Sequence, residues 1–364
     1  MAKPPPSPLD KKVLARRQKD LEGFIDQHTQ MLEQRQLKYA AEIEPMWKRI
    51  LTNISNEIEA IFNLVQDANG VPIVKQPIKQ EKMRNMKRQI ARLGRLRERL
   101  IEMMGVKRQT QKMSVNLAFS YAQSYYFHLF GMEQAARVTV AAPLLTLAHV
   151  VGAIINPWLP DGKTYSDRIR ANTEYLADKM VQVVEQALGS GWSINRTARE
   201  IQKRAGEGYY NAVRLARTEM TRAAAQGANH SYMQNADIMD GKRWNAILDL
   251  VTAEKDAQND GEIFSLSYDT PENPGQPGKR IPNHPNCRCK WSPVLSALGI
   301  STKERIARDQ DGNRIYTKAR TYKEYAKERG LPDVDEAVRN ANPRNYLRRG
   351  ETEADIPADF FGAA

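Results

Sequence analysis

Apolar residues recur at spacings of three and four along most of this chain, and the period shortens to two only after residue 241. From Lys11 to Val65 the pattern is helical, with Trp47, Ile50, Leu51, Ile54, Ile58, Ile61 and Val65 on one face. Pro45 fits a first helical turn, where its missing N–H costs nothing, so Leu21 to Tyr39 reads as a separate upstream helix. Asn69-Gly70-Val71-Pro72 stops the second helix. The next runs from Ile78 to Met104 on a stripe of Met83, Met86, Ile90, Leu93, Leu100 and Met103. Met113 to Ile155 is apolar and aromatic and predicts two core helices. Arg168 to Leu188 is amphipathic and closed by Gly189. Ser193 caps a short helix that Gly206 ends, and a further helix spans about Tyr209 to His230. The inner face of that last helix is small (Val213, Ala216, Met220, Ala223 or Ala224, Gly227), so a neighbouring helix can come close.

After the Asp240-Gly241 turn, Trp244, Ala246 and Leu248 alternate with Arg243, Asn245 and Ile247, an imperfect strand. Ile263 to Leu266 is a second short strand, and Cys289 to Val294 resumes extended structure. Between them lie a polar segment, Thr252 to Gly261, and a long loop punctuated by Pro271, Pro274, Pro277 and Pro282. A loop of that length in a folded domain is usually functional or mobile. From Ser301 the chain is charged and reads as one exposed helix near Tyr322 to Arg329, then a mostly disordered tail. The fold class is therefore mainly α with a small α+β C-terminal module, a helical N-terminal half, and short β-hairpin-like elements around residues 242–294. Three regions follow: a helical arm over 1–110, a central domain over 111–300, and a charged, partly disordered tail over 301–364.

Charge changes this picture in one place. The net charge is +12, and residues 75–108 hold 12 Lys/Arg against 3 Asp/Glu. The basic character thus belongs to one helix, whose Arg84, Lys87, Arg88, Arg95 and Arg99 lie off the apolar stripe. A face of that kind is usually just solvated; its density makes it the candidate surface for a polyanion such as double-stranded DNA. Val138 to Leu159 carries no charge and is long enough to span a membrane. It is interrupted by Pro143, Gly152 and Asn156-Pro157, so we read it as a buried helix begun near Pro143 and stopped before Pro157. Met1 to Asp10 is proline-rich and lacks an apolar core, so no signal peptide is expected.

Both cysteines of the chain fall in His284-Pro285-Asn286-Cys287-Arg288-Cys289. Two residues apart, they cannot staple distant parts of a fold; they point to a reducing compartment or a metal. His284, Cys287 and Cys289 are three ligands for zinc, which takes four in a tetrahedron. Asp256 is the candidate fourth, through the polar segment folding back on the loop, with His230 as the alternative. The plainer reading is two small buried thiols at a strand start and a histidine capping a turn. The acidic residues Asp249, Asp256, Asp260 and Glu262 have no spacing specific to a two-metal nuclease. No HExxH, GxSxG or GxGxxG occurs, and Gly275-Gln276-Pro277-Gly278-Lys279 is too short for a phosphate-cradling loop.

Taken in order, Ala216-Arg217-Thr218-Glu219, Trp244 to Asp249, Asp260-Gly261 and His284 to Cys289 resemble the head-morphogenesis family of tailed bacteriophages that includes the F protein of phage Mu. The resemblance covers about Tyr165 to Val294, and Thr252 is in register with it. This chain departs from the family pattern in having Ala253 and Asp256 where a Cys or His is common. The resemblance implies family-motif roles for Arg217, Thr218, Glu219, Trp244, Asp249, Thr252 and Gly261, and a head-morphogenesis domain over 111–300. It implies a non-enzymatic minor capsid protein that associates with the portal protein and with capsid or scaffold proteins. Its place would be the capsid interior at the portal vertex, reached through the host cytoplasm during assembly. Two rival expectations stand beside it: a toxin-like enzyme such as an ADP-ribosyltransferase, and a non-specific DNA-binding virion protein.

Overall fold

A computed structural model describes residues 11–62, 91, 94–137, 139–157, 159, 161–190, 192–295, 305–309, 311 and 313–331. The helices are α1 (Lys11–Phe62), α2 (Val106–Ala136), α3 (Leu147–Ile155), α4 (Tyr165–Ser190), α5 (Ile194–Met233), α6 (Glu254–Asn259) and α7 (Tyr322–Glu328). Residues 94–104 are also helical, and much of the expected basic helix lies outside the described residues. The strands are β1 (Gly241–Asn245), β2 (Ile263–Phe264), β3 (Lys290–Val294), β4 (Arg305–Arg308) and β5 (Arg314–Thr317). The architecture is mainly α with a small antiparallel module, as the change of period predicts.

Two expected breaks are absent. Pro45 sits inside α1 rather than at its start, so Leu21 and Trp47 share one helix. A proline there deletes one backbone hydrogen bond. Tyr39, Ile43, Met46, Trp47 and Ile50 are buried on both sides of it, and that burial offsets the loss. Gly206 likewise lies within α5 and ends nothing. Two residues on, a Cβ at Gly208 would meet Leu176 at 2.3 Å and Trp47 at 2.8 Å, so this turn is pinned by packing.

The chain divides into two compact units. One contains the described residues of 38–113 and 161–213. Its described core holds Trp47, Ile50, Leu96, Leu100, Leu176 and Met180. The first part of the Trp47-to-Ile61 stripe is therefore interior, while the side chains of Ile54, Ile58 and Ile61 lie outside the described residues.

The other unit contains the described residues of 11–37, 114–160 and 214–331. Its core joins α1, α2 and α5 to a sheet of order β2-β1-β3. Both sheet neighbours of β1 are antiparallel, and Trp244 pairs with Trp291 across β1 and β3. The two indoles are fully buried and meet edge to face at 5.6 Å. Such a pair contributes about 0.5–1.5 kcal/mol beyond its burial. Residues 305–331 add a β4-β5 hairpin and α7, joined to the module by a parallel bridge from Leu248 to Ala307. The helix near Tyr322 is present but is not an exposed one: Tyr322, Tyr325 and Ala326 are buried.

The apolar run after residue 138 also differs from expectation. Its helix, α3, begins at Leu147 behind Thr146, whose hydroxyl accepts from the His149 N–H. Only Ala153 and Ile154 of α3 are buried, while Leu144 is 83% and Leu147 79% exposed. Nine residues make two and a half turns, too few to turn every apolar side chain inward. Among the described residues, no helix is long and apolar enough to cross a membrane.

Candidate functional site

The loop after β2 folds back over α6 and brings metal-ligating side chains together. Asp256 sits in the first turn of α6, where free N–H groups and the helix dipole favour a carboxylate. Cys287 N–H closes a turn onto the His284 carbonyl at 3.2 Å. Asn286 takes φ +60, a left-handed conformation that Asn tolerates better than most residues. This turn sets His284 and Cys287 on the side facing α6.

One ligand atom each of Asp256, His284 and Cys287 lies within 4.8 Å of the other two. His284 Nε2 is 2.7 Å and Cys287 Sγ 3.6 Å from Asp256 Oδ2. Asn283 Nδ2 donates to the other carboxylate oxygen at 3.3 Å. Cys289 is buried beside this group, close enough for Cys287 and Asp256 to act on its thiol, but it lies outside the three residues whose ligand atoms converge. His284 Nδ1–H points to the Pro285 carbonyl, 2.7 Å away. His230, the alternative fourth ligand, is elsewhere: its Nδ1 meets the Tyr121 hydroxyl at 2.7 Å and its ring lies against His149.

Electrostatics within the cluster follow from burial. Burial works to raise the Asp256 pKa, but His284 and the donors around the carboxylate outweigh it and hold it below the ordinary value. Burial disfavours charge on His284 as well; the Asp256 carboxylate outweighs that and pushes the imidazole up to about 10. Cys289 is pushed well up by burial, then by its hydrogen bond with Cys287.

The remaining family-motif residues tie the module to itself. Thr218 Oγ1 accepts from the Asn286 N–H at 3.0 Å and donates to the Arg214 carbonyl at 2.8 Å, linking α5 to the cysteine loop. Asp249 holds Arg288 through two bonds of 2.7 and 2.9 Å and accepts from Thr252 at 2.8 Å. Gly261, at φ +87, donates its N–H to the Trp244 carbonyl at 2.9 Å. Glu219 is buried beside Arg222, 3.0 Å away. Arg222 in turn donates to the carbonyls of Ala153 and Ile154, capping the C-terminal end of α3. The Arg217 carbonyl accepts from Gln36 at 3.3 Å. Arg95 and Arg99 are exposed; Arg84, Lys87 and Arg88 lie outside the described residues.

Sequence reasoning passed over three buried charges here: Arg305, Lys242 and Asp269. Arg305 pairs with Asp260 at 2.5 Å. Lys242 donates to Asn229 at 2.6 Å and to the Tyr268 carbonyl, and burial pushes its pKa down to about 7. Asp269, raised to about 6 by burial, accepts from the Trp291 indole and the Ile281 N–H. No spacing in the sequence marks these partners.

A second concavity of about 450 Å³ opens between α3 and α5, lined by Tyr121, His149, Gln226, His230 and Glu272 among others. There the Tyr121 hydroxyl meets His230 Nδ1 at 2.7 Å.

Residues 178–292 match the family model described as Phage Mu protein F like protein. The matched stretch contains Thr218, Trp244, Asp249 and the whole Asp256–His284–Cys287–Cys289 cluster. Among curated proteins, the chain is similar to NAD(+)--arginine ADP-ribosyltransferase EFV of Enterococcus faecalis. The identity is 26% over 191 residues, covering 50% of this chain and 38% of that protein. The chain thus spans well under half of that relative's length. No solved structure matches it.

Proposed function

We propose, from the premise that residues 178–292 are phage Mu F-like and so of a head-morphogenesis family, that this chain is a minor capsid protein of a tailed bacteriophage. It sits at the portal vertex on the capsid interior and acts in procapsid assembly, DNA packaging or ejection, with portal and capsid or scaffold proteins as partners. The family match carries this reading. The knitting of the matched pieces by Thr218–Asn286 and Asp249–Arg288 supports treating them as one module. The test is mass spectrometry of purified procapsids and virions, with co-purification on tagged portal. Trp47 and Ile50 of the stripe are internal, and this reading assigns the portal contact to Ile54 and Ile58. Ile54→Asp with Ile58→Asp is expected to abolish co-purification while leaving the rest folded. Absence of the wild-type chain from both particles ends the assignment.

The basic segment adds a DNA contact to this reading. Binding there is sequence-independent and falls steeply with salt. Neutralising Arg84, Lys87, Arg88, Arg95 and Arg99 is expected to flatten the slope of log affinity against log salt by about 4. An unchanged slope places DNA binding elsewhere on the protein.

The name of the Enterococcus faecalis relative favours a second reading, an ADP-ribosyltransferase. The triplet Arg217-Thr218-Glu219 resembles such a site only loosely, and its Glu219 is 1% exposed and paired with Arg222. A glutamate so placed cannot reach a nicotinamide substrate. Turnover of NAD+ by the purified chain would replace the first reading with the second.

A further inference from the structure

We propose that Asp256, His284, Cys287 and Cys289 hold one structural zinc ion that locks the 282–289 loop onto α6. The argument begins with what is buried. Asp256, Cys287 and Cys289 are 3%, 1% and 3% exposed, and His284 is partly buried against Asp256. The Asp256 carboxylate is buried here with His284 and Asn283 as its partners. Burying one costs free energy unless it is paired, and apolar residues of similar volume pack as well without that cost.

The spacing is close to what zinc needs. In a tetrahedral site, bond lengths near 2.0–2.3 Å put neighbouring S and O ligands about 3.5 Å apart, and N and O ligands about 3.4 Å apart. Cys287 Sγ and Asp256 Oδ2 are already 3.6 Å apart. His284 Nε2 and Asp256 Oδ2 are 2.7 Å apart, a hydrogen bond across which the ion would sit. Opening that pair by less than an ångström, a side-chain rotation, completes the edge. Cys289 lies outside the three residues whose ligand atoms converge, but Cys287 and Asp256 both act on its thiol, and the proposal takes its thiolate as the fourth ligand.

The surroundings are arranged for a ligand histidine. Its Nδ1–H donates to the Pro285 carbonyl, which fixes the ring and leaves Nε2 to face the cluster. Asn283 holds the second oxygen of Asp256, so the first stays turned inward. Two thiolates and an imidazole select zinc over magnesium or calcium, which take oxygen ligands. All four positions are filled by the protein, so the site is closed and structural rather than catalytic. The ion's role follows from what it joins. α6 is six residues long with no side-chain N-cap, and the 282–289 loop opposite contains Pro282 and Pro285 and carries no strand. A shared ion fixes both, and with them the Thr218–Asn286 contact to α5.

The full-length chain, made with zinc in the medium and purified reduced without chelator, is expected to carry about one equivalent of zinc by elemental analysis. Replacing the metal with cobalt(II) should give a thiolate-to-cobalt charge-transfer band. Cys287→Ser and Asp256→Asn should each weaken cobalt binding by roughly a hundredfold, at least the loss seen for outer partners of a metal site. If either variant fails to fold, the wild-type chain decides alone. Stripping its zinc should lower the thermal midpoint, and re-adding zinc should restore it. Folded wild-type chain with neither zinc nor a charge-transfer band overturns the proposal. So does a zinc equivalent that survives in the Cys287→Ser, Cys289→Ser double variant, and so does an unchanged midpoint once the metal is gone.

Discussion

Asp260→Ala is expected to cost about 3–5 kcal/mol of stability, the range for removing one partner of a buried ion pair. That is a large share of the roughly 5–15 kcal/mol that holds a typical domain together. The Asp260 carboxylate accepts the Ala246 N–H at 2.7 Å, the Tyr322 N–H at 2.6 Å and Arg305 Nη1 at 2.5 Å. Arg305 also donates to Asn245, to the Ala246 carbonyl at 2.6 Å and to the Arg320 carbonyl at 3.0 Å. Both side chains are within a few per cent of full burial. Alanine leaves a guanidinium charge without its counter-ion and two backbone donors without an acceptor. The damage reaches beyond one strand, because Asp260 joins the end of β1 to β4 and to the start of α7. Urea denaturation of the purified chain measures the loss. Glu262→Ala is the control. Its partner Lys279 lies at 2.6 Å, but both side chains are well exposed, so the cost should be about 0–1 kcal/mol. Equal costs for the two variants would show that the buried pair does not hold the module to its C-terminal extension.

That pair also marks the limit of what the sequence disclosed. Helices were legible wherever a stripe persisted, because burying one face imposes its period on the residues. Their ends were less so. Pro45 and Gly206 are breakers by local rule, and both lie inside long helices because packing on either side outweighs the local cost. The tail after Ser301 lacks the apolar residues that signal a core. Its order there comes instead from Arg305 and Tyr322, which reach Asp260 and Asp249, 45 or more positions away in the chain. Long-range charge pairing has no period, so no pattern announces it. At the candidate site, the convergence of Asp256 with His284 and Cys287 could be posed from the residue types, since a long loop can return to where it began. Arg288 could not, because an arginine between two cysteines says nothing of the Asp249 it will hold.

Gly227→Ala is expected to destabilise the protein by about 3 kcal/mol, the upper end of the usual cost of overpacking. Local helix preference predicts the opposite sign, since alanine is favoured over glycine within a helix by about 1 kcal/mol. The contact decides which wins. A Cβ at Gly227 would stand 2.2 Å from the Tyr121 carbonyl oxygen and 3.1 Å from the Tyr125 nitrogen. Those are backbone atoms of α2, so no rotamer change makes room and the two helices must part. They are held close on either side by Ser124 Oγ, which donates to the Ala224 carbonyl at 2.7 Å, and by the small buried Ala223, Ala224 and Ala228. Parting them strains that hydrogen bond and opens the core beneath Tyr125. Gly23→Ala supplies the comparison within the same protein. Gly23 lies inside α1, and a Cβ there would meet nothing within 4 Å. It should stabilise by about 0.5–1 kcal/mol, the ordinary gain from removing a helical glycine. Denaturant midpoints that move in opposite directions for the two substitutions would establish that α2 and α5 touch backbone to backbone at this point. If Gly227→Ala instead matches Gly23→Ala in sign and size, the helices are further apart than Tyr121 and Gly227 require.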